Sequence, residues 1–384
     1  SDLLKLSVPL YGERKFHYKK ISRFVKSKRI KKLLKLKKIG VSYDKHKTTL
    51  LKLNKYPIIH VLKEDINLQK EVDTLNKEIT EIYEEKAFNK FSENAELIIK
   101  NISPGILGME NIKKAVYLQL FSAHRVHILL LGDPGVGKTE ILRAIDMLAP
   151  KASFGLGSGA SKAGLTMTKS GKKIIPGLLP MANKGIACID ELNLMKSNDR
   201  AGLLNAMEKG FVTYNKASSH QKLEADIRVL ATANPKGDRF VSERISMIKE
   251  QTPFEDALMS RFHLIFVVRK PDIQQFLEIT KNMLKEKPKM NFDDVYFIRS
   301  YVDRCISIDV DFPKKLEPML LNFVEDIKSE ENKFLQEVSP RLVKGIIAMT
   351  KAKARSHMRE QVTQEDLLFV FKVFKDCLYR KIKK

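Results

Sequence analysis

The stretch Val126–Pro150, VHILLLGDPGVGKTEILRAIDMLAP, constrains what this chain can fold into more than any other. It opens on a short apolar run, His127–Leu131, whose length and lack of alternation predict a strand buried on both faces. A glycine-rich loop follows, and then Ile141, Leu142, Ile145 and Leu148 recur on one face of a helix that Pro150 ends. The loop, Gly132–Thr139, fits G-x-x-x-x-G-K-[ST] in the strand–loop–helix context that the pattern needs. Glycines let the backbone turn tightly and aim its N–H groups into one concave site at a helix N-terminus, where an anion is held. Asp133, Pro134, Gly135, Val136, Gly137, Lys138, Thr139 and Glu140 are therefore expected to bind a nucleotide. Lys138 would reach its β- and γ-phosphates and the Thr139 hydroxyl would ligate Mg2+.

Further along, apolar runs suited to strands recur at Gly185–Ile189, Ile227–Ala231 and Leu264–Val268, with helical patterns between them. That alternation predicts an α/β fold with a parallel sheet covered by helices. Ligands of such sheets bind outside the carboxyl ends of the strands, where Gly132, Asp190 and Asn234 all fall. In a nucleotide hydrolase, Asp190 would hold Mg2+ and Glu191 would polarise the attacking water. Asn234, before Pro235, reads either as an orienter of that water or as an ordinary turn former. Arg261, in Ser260-Arg261-Phe262, reads as an arginine finger or as a surface arginine. His124 and His127 have H-x-x-H spacing, but on a strand approach they point to opposite faces, so no metal site is expected there.

Length and charge bound the rest. The chain has 384 residues, room for two or three domains. No apolar stretch is long enough to cross a membrane, and Ser1 in place of Met reads as a processed or engineered piece of a longer protein. Cys188, Cys305 and Cys377 are too far apart for a zinc motif and suit free thiols in a reducing, intracellular compartment, a cytoplasm with its nucleoid or a nucleus. The net charge of +24 points to a polyanionic partner, most often nucleic acid, unless it reflects a lysine-rich proteome. Residues 1–55 carry eighteen lysines and arginines against Asp2, Glu13 and Asp44, a net +15. The basic and apolar run Lys26–Lys38 reads as a nucleic-acid arm, a membrane-surface helix or a solvated face. Alternation at Thr48–Leu53 and Ile58–Leu62 predicts strands, so 1–62 is expected to be a small basic domain that contains β-structure and binds nucleic acid.

Residues 63–100 carry a mixed-charge helical stripe, Leu68, Val72, Leu75, Ile79 and Ile82, expected to form a connector. The α/β core is expected over 101–285 and a small all-helical domain over 286–384. In the latter, Ser339 and Pro340 open one helix and Thr363 with Asp366 forms a capping box for the last.

Taken together, Gly132–Thr139, Ile189-Asp190-Glu191, Ala231–Pro235 and Leu258–Val268, in that order, resemble the AAA+ ATPase core of minichromosome maintenance (MCM) replicative helicases. Ile102–Leu120 and Gly157–Thr166 resemble it as well. The similarity covers roughly residues 92–384. It implies an ATP- and Mg2+-dependent helicase or translocase on single- and double-stranded DNA, built as a homo-oligomeric and usually hexameric ring. By that resemblance the helical domain is a lid. Lys138, Thr139, Asp190, Glu191 and Asn234 act within one subunit, while Arg261 and Arg341 reach the neighbour's site. Phe211–Asp226 matches the hairpin whose lysine, here Lys216, meets DNA, and Thr166–Leu178 matches a second channel hairpin.

Several positions depart from the family. Gly137-Lys138-Thr139 stands for Ala-Lys-Ser, IDELNLM at Ile189–Met195 for IDEFDKM, and Ser260–His263 for SRFD, which removes an acid beside the finger. Residues 1–91 are too short for the family's oligonucleotide-binding barrel and contain no cysteine for its zinc motif. This reads as a reduced or replaced N-terminal domain, or a truncated chain, and the family's C-terminal winged helix is missing too. Two other readings stand beside the DNA motor. One is a magnesium-chelatase-like remodeller of proteins, which the basic charge disfavours. The other is a non-hydrolysing MCM-like regulator, which intact Lys138, Asp190, Glu191 and Arg261 disfavour.

Overall fold

The computed structural model describes residues 39–43, 57–61, 66–159, 161–170, 173–216, 219–242, 244–284 and 292–379. The basic run Lys26–Lys38 and the alternation at Thr48–Leu53 lie outside the described residues. The described residues of Ser1–Ala95 and Lys289–Phe297 form one compact unit, and those of Glu96–Pro288 and Ile298–Lys384 form another.

In the first unit, β1 (Ile39–Tyr43) pairs antiparallel with β2 (Pro57–Val61), Ile39 opposite Val61 and Tyr43 opposite Pro57. The strand expected at Ile58–Leu62 is present, one residue earlier. The long helix α1 (Ile66–Ser92) packs on β2. Val72, Tyr83, Phe88 and Phe91 of α1 are buried, and the Phe88 and Phe91 rings stand 5.5 and 5.2 Å from that of Phe297.

The second unit runs α2 (Leu97–Asn101), α3 (Glu110–Leu120), β3 (Ile128–Gly132), α4 (Lys138–Leu148), β4 (Ala152–Leu156), α5 (Lys162–Leu165), β5 (Met167–Ser170), β6 (Lys173–Pro176), α6 (Leu178–Met181) and β7 (Ile186–Asp190). It continues with α7 (Ser197–Lys209), β8 (Phe211–Lys216), β9 (Ser219–Glu224), β10 (Arg228–Ala233), α8 (Ile245–Gln251), α9 (Asp256–Met259), β11 (Leu264–Val268) and α10 (Ile273–Met283). Last come α11 (Phe292–Ile306), whose residues from Ile298 on belong to this unit, α12 (Glu317–Ser329), α13 (Pro340–Ser356) and α14 (Gln364–Leu378).

Five strands make the parallel sheet, in the order β11-β3-β10-β7-β4. Every residue of β3, β7 and β10 is buried, because helices cover both faces, and this is why those strands read as unbroken apolar runs. β4, at the sheet edge, is the strand that the apolar runs do not reveal. Its sequence ASFGL is only half-buried, and an edge strand with one neighbour needs no continuous apolar run. The expected alternation of strands and helices is present, with α4 packed on β4, β7 and β10.

Two hairpins leave this framework. β5 pairs with β6 from Met167 opposite Pro176 to Ser170 opposite Lys173, and β8 pairs with β9 from Phe211 opposite Glu224 to Lys216 opposite Ser219. Beyond the sheet, α13 packs on α14 and on α3, and α14 packs on β11. The Thr363–Asp366 capping box forms as expected at the start of α14. Ser339 does occupy the N-cap of α13, but its side chain makes no capping bond. Among the described residues no helix is long and apolar enough to cross a membrane.

A buried cation fastens the amino edge of the sheet. Arg228 donates to the carbonyls of Gln119, Leu120 and Ser122 at the end of α3, and to Lys184 and Gly185 ahead of β7, over 2.6–3.2 Å. Burial lowers its pKa to about 10, and the carbonyl end of a helix is where a cation is best tolerated.

Candidate nucleotide site

The phosphate loop leaves β3 at Gly132 and enters α4 at Lys138. Gly135 and Gly137 take φ of +76° and +91°, left-handed backbone that other residues adopt only at a cost. At Gly137 there is a second reason for glycine, since a Cβ there would stand 2.6 Å from Ile106 Cδ1. The segment holding Ile106 is itself anchored. The Ser103 hydroxyl donates to the Glu140 carbonyl over 2.8 Å, and Lys113 Nζ donates to the carbonyls of Ser103 and Ile106 at 3.1 and 2.7 Å. Asp133 turns away from the loop. Its N–H donates to Val268 O, and its carboxylate accepts from the N–H groups of Phe240 and Lys270, each 3.1 Å away.

The loop brings Lys138 onto residues from other strands. Lys138 Nζ donates to the carbonyls of Gly132 and Asp133 at 2.7 and 2.6 Å and to Asn234 Oδ1 at 3.1 Å. Burial brings its pKa down to about 8, with Asp133, Asp190 and Glu191 pulling the other way. Next to it, the Thr139 hydroxyl donates to Asp190 Oδ1 at 3.2 Å, and Thr232 donates to the same oxygen at 2.5 Å. β7 ends one residue later than the sequence suggests, so Asp190 is its last residue, and Asn234 directly follows β10. The ends of β3, β7 and β10 thus bring an ammonium, a hydroxyl, a carboxylate and an amide together.

Glu191 is held in a conformation that costs energy. Its φ of 54° and ψ of 46° put a non-glycine residue in the left-handed region, and its N–H donates to the Thr232 hydroxyl at 2.9 Å. Such strain persists where the surroundings over-determine it, commonly at functional positions. Asparagine tolerates this conformation better than other side chains. Glu191→Asn is therefore expected to be more stable than Glu191→Gln by about 0.5–1 kcal/mol in urea denaturation. Equal midpoints for the two variants would remove the argument for strain.

Arg261 and Arg341 lie at the other edge of the sheet. Arg261 precedes β11, whose Leu264 pairs with Ile128 at the start of β3, and Arg341 Nη1 donates to Ser260 O over 2.6 Å. The five residues of β3 separate this edge from the phosphate loop, a distance of about 16 Å at strand rise. Arg261 donates through Nη2 to Glu208 Oε2 over 2.6 Å and through Nη1 to the Ala257 carbonyl. The fold thus supplies a carboxylate beside Arg261 from the end of α7, which nothing near Ser260–His263 in the sequence announces.

Two neutral histidines stitch this edge together. The His127 N–H donates to His263 Nδ1, and Val229 N–H donates to His127 Nδ1, each over 3.0 Å. Burial pushes the pKa of His263 down to about 4 and that of His127 well below its usual value. His124 is exposed, so the H-x-x-H pair is split between surface and core.

Two further residues complete the cluster, and no local pattern in the sequence marks the bonds either makes. Thr232 bridges Asp190 to the Glu191 backbone, and the Asn193 side chain accepts from Asn234 N–H at 3.0 Å. Thr232 lies in the ATANP stretch, so its position was visible and its bonds were not. Lys216 ends β8, opposite Ser219.

A family model described as the MCM P-loop domain matches residues 79–287. The chain is 30% identical over 296 residues to a minichromosome maintenance protein MCM of Saccharolobus solfataricus, covering 70% of this chain and 42% of that protein. It is 30% identical to DNA replication licensing factor MCM7 of Arabidopsis thaliana, with 74% and 44% covered. To DNA replication licensing factor mcm7-B of Xenopus laevis it is 28% identical, with 76% and 43% covered. The chain spans less than half the length of these relatives.

Proposed function

This chain belongs to the MCM family, and from that premise we propose that it is an ATP-driven motor on DNA, acting in replication as a homo-oligomeric, hexameric ring in a nucleus or a cytoplasm. The observation that carries the reading is the meeting of Lys138 with Asn234 at 3.1 Å and of Thr139 with Asp190 at 3.2 Å. Four kinds of group needed for phosphate chemistry share one strand-end cluster.

The residues fit ATP and Mg2+. The left-handed glycines and the α4 N-terminus present N–H groups to an anion, and a hydroxyl with a carboxylate is an oxygen donor set suited to a hard cation. A bound Mg2+ supplies neutralisation of the developing phosphate charge. Lys138 exchanges its carbonyl and amide acceptors for phosphate oxygens, and its ammonium gains a partner that burial has made it need. Glu191 takes the proton of the attacking water, and Asn234 orients that water. Arg261 and Arg341 stabilise charge on the nucleotide of the adjoining subunit. The lid helices of 286–384 follow the opening and closing of that interface.

The DNA, single- or double-stranded, is held by hairpins, with Lys216 as the contact on β8–β9. Lys216→Ala is expected to weaken single-strand binding about equally across sequences. It should also reduce the slope of log K against log salt by about 0.7. A titration at several salt concentrations checks this, and an unchanged slope would remove Lys216 from the contact. The reading as a whole is tested by ATP hydrolysis with and without single-stranded DNA at two salt concentrations. Stimulation that fades as salt rises is expected. Turnover indifferent to DNA would turn the reading to a protein remodeller, and no turnover to a non-hydrolysing regulator.

A further inference from the structure

Glu208 has a place in the fold that stability does not explain. Its carboxylate meets Arg261 Nη2 at 2.6 Å, with the arginine side chain 19% exposed and the glutamate 47%. An ion pair this open to water contributes little to folding. What the pair does is restrict a long side chain. Arg261 is held at Nη2 by Glu208 and at Nη1 by the Ala257 carbonyl, while its Nε is buried without a hydrogen-bond partner. The guanidinium cannot sample its usual rotamers while both ends are tied, and Arg261 in turn holds the Glu208 carboxyl below the usual carboxylate range.

The backbone that carries Glu208 is itself held from behind. Arg125 Nη1 donates to the Glu208 carbonyl over 2.8 Å, and Arg125 Nε pairs with Asp226 at 3.0 Å. The Met207 carbonyl meets His127 Nε2 at 3.2 Å. Two residues after Glu208, Gly210 ends α7 with φ of +77°, and β8 begins at Phe211. The Gly210 carbonyl accepts from Ala225 N–H over 2.8 Å, which closes the base of the β8–β9 hairpin. Glu208 is therefore the side chain that joins the root of this hairpin to Arg261.

We propose that Glu208 is the positioning residue for Arg261, and that through it the β8–β9 hairpin and the arginine move as one body. The inference rests on the reading that Arg261 serves a neighbouring subunit's nucleotide and that the hairpin meets DNA. A hairpin displaced by DNA then carries the guanidinium toward or away from that nucleotide. DNA stimulation of ATP turnover passes through this ion pair.

The experiment measures steady-state ATP turnover, with and without single-stranded DNA, for the parent chain, Glu208→Gln, Glu208→Asp, Arg261→Ala and the Glu208→Gln/Arg261→Ala double variant. Glu208→Gln is expected to lower the DNA-stimulated kcat by about 10- to 100-fold, the scale of a misplaced catalytic group, with KM for ATP within about twofold. Glu208→Asp should recover part of the loss. The double variant should be no worse than Arg261→Ala alone, because residues acting through one another do not add. A Glu208→Gln variant with the parent's kcat and stimulation, beside an Arg261→Ala variant that has lost turnover, overturns this proposal and leaves the ATP reading standing. Losses that add in the double variant overturn it too. No turnover in the parent chain overturns both readings together.

Discussion

Lys138→Ala is expected to lower ATP turnover at least about 10^3-fold, since on the proposed function it removes the ammonium that would meet the β- and γ-phosphates where negative charge develops. The same change should cost the folded chain little. Burial has brought the Lys138 pKa down to about 8, so the fold disfavours the charged form that the site uses. The sign follows directly. A lysine whose folded pKa is depressed penalises the fold below that pKa, and the penalty lifts as pH rises through it toward the unfolded value. Removing the charge therefore removes a penalty near neutral pH, offset by the carbonyls of Gly132 and Asp133 and the Asn234 amide losing their donor. Urea denaturation of the nucleotide-free variant should give a midpoint close to the parent's or above it. Nucleotide binding to the parent should also take up protons at about pH 8 to 9, where Lys138 is partly neutral. Calorimetry in buffers of different ionisation enthalpy reads that uptake. Retained turnover in Lys138→Ala would sink the site assignment.

The second large effect is complementation. If Arg261 serves the adjoining subunit as proposed, Arg261→Ala alone should lower turnover about 10^3-fold, as loss of an arginine finger does. Arg261 stands at the amino edge of the sheet, the length of β3 away from the phosphate loop of its own chain. An interface in a ring is heterologous, with the loop of one subunit facing the opposite edge of the next. Mixing equal amounts of Lys138→Ala and Arg261→Ala chains, each inactive alone, should restore about a quarter of parent turnover. One interface in four then joins an intact Lys138 to an intact Arg261. Independent, inactive mixtures under conditions where rings exchange subunits would mean that Arg261 acts in its own chain or not at all.

The α/β class and the strand-end cluster were legible because burial on both faces writes itself as apolar runs, as in Ile186–Ile189 and Leu264–Val268. β4 was illegible for the converse reason. An edge strand with Gly155 inside it looks like loop, and only pairing with β7 makes it a strand. The two hairpins entered through the family resemblance, since short two-stranded ribbons of mixed polarity carry little periodicity of their own. Thr232, Asn193 and Glu208 stayed silent for a third reason. Each acts through a bond to a residue remote in sequence: Thr232 to Asp190, Asn193 to Asn234 and Glu208 to Arg261. No local pattern records such a bond. His263 looked like a lost acid beside Arg261, and in the fold it is a neutral core residue taking the N–H of His127.

The fastening of Asp133 bears on when the site comes into being. Its carboxylate waits for the N–H groups of Phe240 and Lys270, which lie 107 and 137 positions further along the chain. Contacts of such separation form late, after the entropy of closing a long loop has been met. A chain growing from its amino end completes the motif itself by Thr139, yet the Asp133 carboxylate has neither of its partners until more than a hundred further residues have been added. At about 5–20 residues per second that is a delay of roughly 5–25 seconds. For that interval the nascent chain carries the whole phosphate-binding signature and only part of the structure that makes it work.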